Sequence, residues 1–347
     1  MGLNIKPIYR IYANNNEITS KIAERLITLR FTDESGFESD ILEITLSDHD
    51  WSNPIEMPPK GAELELFIGY DNTAQRMGMF VVDESEIGGW PGELTIRARA
   101  AQFDTSKAGK SYLQTQKSRA WPKNTKLGDM VKKIAADHSM SAKISDELAS
   151  IVLPSISQTD ESDLHLLVRI CGRFDAIAKA AGGSLVVTKK GKGKTVSGGN
   201  MPSITITPFD NVTQFRVIES KRETAGEVIA YWHDVNSAKR HEVFVGDGEP
   251  KTRLKMQYPT KEMALAAARS ELERKERGKQ TGSLTVVGRP DLAAESRLTL
   301  SGFRPGVDGE WSITRVEHTL NNSGYICSVD FEQLNANDQP DTSDVAN

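Results

Sequence analysis

Gly191-Lys192-Gly193-Lys194-Thr195 has the residue types that close a phosphate-binding loop, in which backbone amides cradle phosphate and a lysine reaches it. The spacing fails, because the loop needs a glycine five positions before Gly193 and Thr188 stands there. Lys189, Lys190, Lys192 and Lys194 then read as a solvated basic hairpin tip with the charge to dock an acidic partner surface. They are the candidate interface residues. His233-Asp234 and His241-Glu242 are the histidine pairs near enough in sequence to hold a metal, but both imidazoles and a carboxylate would have to converge across a hairpin without a further His or Cys. His49 lies between Asp48 and Asp50, where flanking carboxylates would raise its pKa if close, yet Asp-His-Asp before Trp51 and Pro54 reads as a turn.

No serine has glycine two positions before and two after, so the nucleophile-elbow signature is missing. Cys171 falls on the apolar stripe of a predicted helix, where a small hydrophobe is expected rather than a nucleophile. Paired carboxylates for glycoside cleavage cannot be singled out among 48 acidic residues. No catalytic, cofactor-binding or metal-ligating residue is therefore assigned.

The elements that would position these residues follow from hydropathy. The 347 residues correspond to two or three units of about 150 each. A net charge of −5 argues against nucleic acid as the main partner, and 38% hydrophobic content describes a folded chain with a lean core. Cys171 and Cys327 fit neither a disulfide framework nor a zinc cluster, which points to a reducing, cytosolic origin. The N-terminus lacks the apolar stretch of a cleaved signal peptide, and no run reaches the ~18 apolar residues of a membrane span, so a soluble protein without membrane insertion is expected.

From Pro7 to Phe103 the apolar period is two: Leu26 to Phe31, Ile41 to Leu46, Leu64 to Ile68 and Leu94 to Arg99 each read as half-buried strands. Near Trp121 the period becomes 3.6. Thr125 is placed to cap a helix with Leu127, Met130, Val131 and Ile134 on one face, ending near His138. Thr159 is placed to cap a second helix, with Asp160, Glu161 and Asp163 in its first turn, Leu164, Leu167, Val168 and Cys171 buried, and Gly172 at its end. Phe174 to Lys179, Gly182-Gly183 and Ser184 to Val187 read as a hairpin, although Ala176 to Ala181 could prolong the helix. Strands return from Ile204, interrupted by a helix that opens at Pro259-Thr260, carries Glu271/Lys275 and Glu273/Arg277 pairs, and stops at Gly278.

The two β regions resemble each other. Leu64-Glu65-Leu66, Gly69, Gly78-Met79-Phe80, Gly92 and Leu94 align with Leu298-Thr299-Leu300, Gly302, Gly309-Glu310-Trp311, Gly324 and Ile326. The glycine offsets are 233 (302 minus 69), 231 (309 minus 78) and 232 (324 minus 92). The expected fold is mainly β with an α insert (α+β): two antiparallel β-barrels flanking a helical and hairpin insert. The boundaries are residues 1–104, 105–200 and 201–334, with a disordered tail over 335–347.

Gln158-Thr159-Asp160-Glu161-Ser162-Asp163-Leu164-His165-Leu166-Leu167, Gly183 to Val187, and the ending Gly302-Phe303, Gly309-Glu310-Trp311-Ser312-Ile313, Val316-Glu317-His318 and Gly324-Tyr325 resemble the phage late control protein D family. These are baseplate hubs of contractile-tailed phages and tailocins, similar to the N-terminal hub portion of type VI secretion spike proteins. The resemblance runs from about Pro7 to Phe331. It implies a homotrimer between tail tube and central spike, with two tube-protein-like barrels per chain, in a virion or tailocin baseplate assembled in the host cytoplasm. Its partners would be the tube protein, other baseplate proteins and a spike supplied separately, since the chain ends after its second barrel. The resemblance transfers no catalytic residue or cofactor. Three chains of two similar units make six, which suits a sixfold tube and a threefold spike. The alternative reading is a tail-associated cell-wall-degrading enzyme.

Overall fold

The structure, a computed structural model, describes residues 6–36, 39–50, 52–71, 73–100, 113, 115–181, 184–191, 203–220, 226–234 and 237–334. Trp51, Gly182, Gly183, Lys192, Gly193, Lys194, Thr195 and the 335–347 tail lie outside them. The mainly-β expectation holds. The first region contains β1 (Pro7–Ala13), β2 (Asn16–Glu17), α1 (Thr19–Ile22), β3 (Leu26–Glu34), β4 (Ile41–Ser47), β5 (Glu63–Tyr70), β6 (Gln75–Gly88) and β7 (Glu93–Ala100). The middle contains β8 (Gln116–Trp121), α2 (Leu127–Asp137), β9 (Ser141–Ile144), α3 (Asp146–Ala149), β10 (Ile156–Ser162), α4 (Asp163–Cys171), β11 (Ala176–Ala181) and β12 (Ser184–Lys189). There follow β13 (Ser203–Ile206), β14 (Val212–Glu219), β15 (Glu227–Asp234), β16 (Lys239–Gly246), β17 (Lys251–Tyr258) and α5 (Lys261–Arg277). The chain closes with β18 (Gln280–Val287), β19 (Arg297–Leu300), β20 (Gly309–Asn321) and β21 (Gly324–Gln333).

The expected pair of closed barrels is not what forms. Thirteen strands make one open sheet, β14-β18-β21-β20-β3-β4-β7-β6-β5-β1-β2, with β19 also on β20 and β13 on β19. The reason is that β3 spends its second edge on β20, an antiparallel joint from Arg315 opposite Glu34 to Asn321 opposite Thr28. One hydrophobic cluster consequently runs through both regions, from Ile11, Leu29, Leu42 and Phe80 to Val286, Trp311, Val329 and Phe331. Each such side chain contributes roughly 1.5–3 kcal/mol on burial. Alternation places them: in β4, Leu42, Ile44 and Leu46 point inward and the residues between them do not.

The repeat is physical. Leu64, Glu65 and Leu66 of β5 face Phe80, Met79 and Gly78, as Leu298, Thr299 and Leu300 of β19 face Trp311, Glu310 and Gly309. Gly78 and Gly309 share this ladder position and a positive φ, 155° and 142°. The β6–β7 ladder slips at Val82/Glu84 and the β20–β21 ladder at Ile313/Arg315, each 231 residues apart (313 minus 82, 315 minus 84). Matched bulges bend matched strands. Gly69 and Gly302 are not equivalent: Gly69 sits within the β5 ladder opposite Ile8, and Gly302 follows β19 at φ 81°.

A second cluster joins the insert to β15, β16 and α5 through Leu127, Met130, Ile134, Leu166, Phe174, Val228, Met263 and Ala267. The α2 stripe lies where its 3.6 period puts it, but Lys126 is the cap residue, because the Thr125 hydroxyl donates to Pro122 O at 2.7 Å. Residues 159–161 are not a helical turn either. They belong to β10, whose Glu161 and Ser162 pair with Lys117 and Gln116, so Ser162 caps α4 by accepting from His165 N. The buried face of α4 shifts accordingly to Leu166, Leu167, Ile170 and Cys171. Gly172 is the α4 cap as expected, and β11–β12 is a hairpin, so Ala176 to Ala181 does not prolong the helix. Thr260 and Gly278 cap α5 as expected.

Its charged residues depart from the expected (i, i+4) pairs: Arg274 holds Glu271, Glu273 reaches Lys189, and Arg277 turns inward. Arg277 binds Asp175 at 2.6 Å and Glu332 at 3.1 Å, and Lys179 of β11 reaches Asp40 at 2.9 Å and Asp33 at 3.2 Å. These two cations clamp the second cluster onto the large sheet. Burial works against the Lys179 charge, yet Asp33 and Asp40 outweigh it and hold the ammonium above its ordinary pKa. No helix among the described residues is long and apolar enough to cross a membrane.

Candidate assembly interface

The groups that looked chemically suggestive in sequence do not converge. Trp232 is the register partner of His241 and stacks on it at 4.8 Å, while His233 faces Arg240. His49 Nδ1 lies 2.8 Å from Ser47 Oγ, and Asp50 accepts from the Ser52 backbone and hydroxyl in a local turn. Burial pushes the Cys171 thiol up to about 12 and that of Cys327 to about 11, far from a reactive thiolate. Lys189 lies 3.5 Å from Glu273 and 3.8 Å from Glu147, and the backbone N–H of Lys190 donates to Asp175 O.

Sequence reasoning missed one polar centre. Asp163, fully buried, accepts from Arg119 at 2.6 Å, Lys117 at 2.7 Å and Gln158 at 2.8 Å, with His138 Nε2 at 2.8 Å. Burial disfavours its charge, but these donors prevail and hold its pKa at about 2. The centre ties β8, β10, α2 and α4 together. A buried acid amid polar residues of several elements leaves no periodic trace; its signal was an Asp on the apolar side of α4.

The arrangement that bears on function is the edge chemistry of the large sheet. At the β3–β20 joint, Leu29 and Phe31 are 0% and 3% exposed. Phe31 meets Phe80 edge-to-face at 5.6 Å and stacks on His318 at 5.4 Å. On the opposite face Arg30 pairs with Glu43 at 3.1 Å and Glu317 at 3.5 Å, and Arg315 pairs with Glu34 at 2.8 Å. His318 is sealed among these rings with Nδ1 2.7 Å from Tyr325 Oη, and burial lowers its pKa to about 4.

A second copy of this edge exists. The β3–β4 ladder slips at Leu26/Thr28, and the β14–β18 ladder slips at Val212/Gln214. Phe215, Arg216, Val217 and Ile218 therefore occupy the places of Leu29, Arg30, Phe31 and Thr32. By the matched bulges, Glu84, Ser85, Glu86, Ile87 and Gly88 occupy the places of Arg315, Val316, Glu317, His318 and Thr319. Among the described residues β14 pairs only with β18, and β6 from Glu84 onward pairs only with β7. Phe215 is 44% exposed and Ile87 58%. The same positions are sealed once within the chain and bare once.

The chain matches the family model of the phage tail baseplate hub (GPD) over residues 64–324. A probable baseplate hub protein of Escherichia phage 186 is 30% identical over 374 residues, covering 95% of this chain and 94% of the phage protein. The 43 kDa tail protein of prophage MuSo2 from Shewanella oneidensis has a similar structure, with a TM-score of 0.68 at 15% identity, covering 94% of this chain and 98% of that one. The E. coli c3393 protein is described as a type VI secretion component structurally similar to the T4 tail proteins gp27 and gp5. It matches with a TM-score of 0.59 at 10% identity, over 91% of this chain and 75% of its own. At such low identities the two structural likenesses speak for the fold alone.

Proposed function

The chain belongs to the phage tail baseplate hub family, and from that premise we propose that three copies close a ring joining the tail tube to the central spike. Its role in the tail baseplate is structural, without catalysis, and the spike, the tube and other baseplate proteins are its partners. Assembly takes place in the host cytoplasm before the tail is released.

The observation that carries this reading is the duplicated strand order, β3-β4-β7-β6-β5-β1 in one half and β14-β18-β21-β20-β19-β13 in the other. Three chains of two halves present six related units, which suit a sixfold tube on one side, while the chains themselves keep threefold symmetry for a spike. The halves also differ in two respects. β1 joins β5 antiparallel but β13 joins β19 parallel, and β15 to α5 are inserted between β14 and β18. Of the lysines at 189, 190, 192 and 194, Lys189 is held within the chain by Glu273 and Glu147, and Lys190, Lys192 and Lys194 are the ones offered to an acidic surface of a neighbouring baseplate protein.

Native mass measurement, alone and with tube and spike proteins from the same gene cluster, tests the reading. A particle of three 38.2 kDa chains that retains both partners is expected. A chain that stays monomeric, binds neither and cleaves peptidoglycan overturns it.

A further inference from the structure

Resting on the hub reading above, we infer that a pocket in the second cluster is the docking socket for an acidic segment of a separate baseplate protein other than the tube, which seats a large apolar side chain in it. The pocket, of about 510 Å³, opens between the β8–α2 loop, the α3–β10 loop and the first turns of α5. The buried Leu153, Phe174 and Met263 line it, and Val152 stands in its lining 51% exposed. Its walls are held before anything enters. Leu127 N donates to Ile151 O and Leu153 N to Thr125 O, both at 2.8 Å, and Asn124 N donates to Leu153 O at 3.0 Å, so the two loops are tied together. A partner therefore gains apolar burial without first ordering this surface.

Three properties select the occupant. The first is the lining. Thr260 spends its hydroxyl oxygen on Met263 N at 3.2 Å, and the remaining polar side chains, Lys123, Asn124 and Glu262, are exposed. No buried polar side chain of the lining is left to orient a small polar ligand, and an apolar side chain needs none.

The second is charge. Residues 101–200 carry 16 Lys and Arg against 9 Asp and Glu, a net of +7, whereas residues 1–100 carry 9 against 17, a net of −8. Within the basic stretch Lys117, Arg119, Arg169, Lys179 and Lys189 are held by carboxylates. Lys123, in the lining, and Lys126, bridged to Val152, have no ion pair among the described residues, and Glu262 is the one carboxylate of the lining. Unpaired positive charge at an apolar opening favours an acidic segment.

The third is copy number. The large sheet supplies two related units per chain, but β8 to β12 and β15 to α5 occur once. A ring of three chains thus has six sheet units and three pockets. A sixfold partner would leave half of its copies without a socket, so the tube is not the occupant.

Interferometry of the full-length hub against the purified spike, tube and remaining baseplate proteins of the same gene cluster, run beside native mass measurement, tests the socket. One protein other than the tube should bind, and about tenfold more weakly to Val152→Glu, which puts an anion at the opening without replacing a buried residue. Lys123→Glu with Lys126→Glu should slow its association about threefold and flatten the dependence on salt. Both variants should keep the trimer mass and the tube binding of the parent hub. A trimeric hub whose partners all bind both variants as tightly and as fast as the parent overturns the socket and leaves the hub reading standing. Loss of the trimer or of tube binding in these variants also overturns it, by assigning the pocket to a neighbouring copy or to the tube. A chain that stays monomeric and binds no baseplate protein overturns both.

Discussion

At the β3–β20 joint and at the bare β14 edge the same ladder positions meet opposite fates. Leu29 and Phe31 are sealed, whereas Phe215 is 44% exposed and Val217 only half-buried. Strand order, ladder slips and the arginine at the centre are shared, so the backbone does not distinguish the two sites. What differs is the side-chain chemistry. The in-chain joint uses large rings and a buried imidazole that would be costly to leave in water. The open edge has Val217 at the place of Phe31 and Ile87 at the place of His318, and its one ring, Phe215, rests on Phe303 instead. An edge sealed within the chain can keep rings on its core face, whereas an edge without a second strand among the described residues carries smaller groups at the matching places.

Mutation can break this contrast, most strongly at the sealed ring. Phe31→Ala should cost about 3–5 kcal/mol in chemical denaturation of the isolated chain, whereas Val217→Ala should cost under about 1 kcal/mol. Equal losses at the two sites would mean that β14 is already covered within the chain.

Acid provides the next largest effect. His318 has a folded pKa of about 4 against an ordinary 6.5. Between those values the unfolded chain binds the proton and the folded chain does not, so its contribution is full above about pH 6.5 and lost as pH falls toward 4. The 2.5-unit gap corresponds to about 3 kcal/mol. Denaturation midpoints measured between pH 7 and 4 should show this slope, and His318→Phe should flatten it. A slope unchanged in that variant would move the titration to another group.

The smallest effect sharpens the contrast at the charged face. Arg30→Ala removes exposed pairs with Glu43 and Glu317 and should cost no more than about 1 kcal/mol, with Arg216→Ala leaving the isolated chain unchanged. The same denaturation assay reads both, and a clear loss from Arg216→Ala would reveal an in-chain partner.

Much of the fold was legible locally. Alternation located the strands of both β regions, the 3.6 period located α2, the Pro259-Thr260 and Gly278 boundaries located α5, and the glycine spacing exposed the duplication. Three readings failed where a neighbour distant in sequence intervened. Thr159 looked like a cap, but β8 pairs with Glu161 and Ser162 beyond a bulge and delays the helix to Asp163. Arg277 looked like half of a surface pair, but Asp175 and Glu332 draw it inside. Gly69 matched Gly302 in number only, since β1 keeps Gly69 in a ladder. Of the candidate interface residues, the lysines at 189, 190, 192 and 194 were visible as a charge run. The strand edges were not, because Phe215 and Ile87 look like any half-buried strand residue until their unpaired sides are known.

The division between what residues dictate and what the fold decides follows from range. Side-chain alternation, capping and the constraint on φ act within a few residues, so the amino-acid order alone determined the elements, their duplication and the mainly-β class. Whether two halves close separately or share an edge depends on contacts such as that of Arg315 with Glu34, 281 residues apart. Only the tertiary structure, by spending the outer edge of β3 on β20, decided that one such edge is consumed within the chain while its counterpart on β14 has no second strand among the described residues.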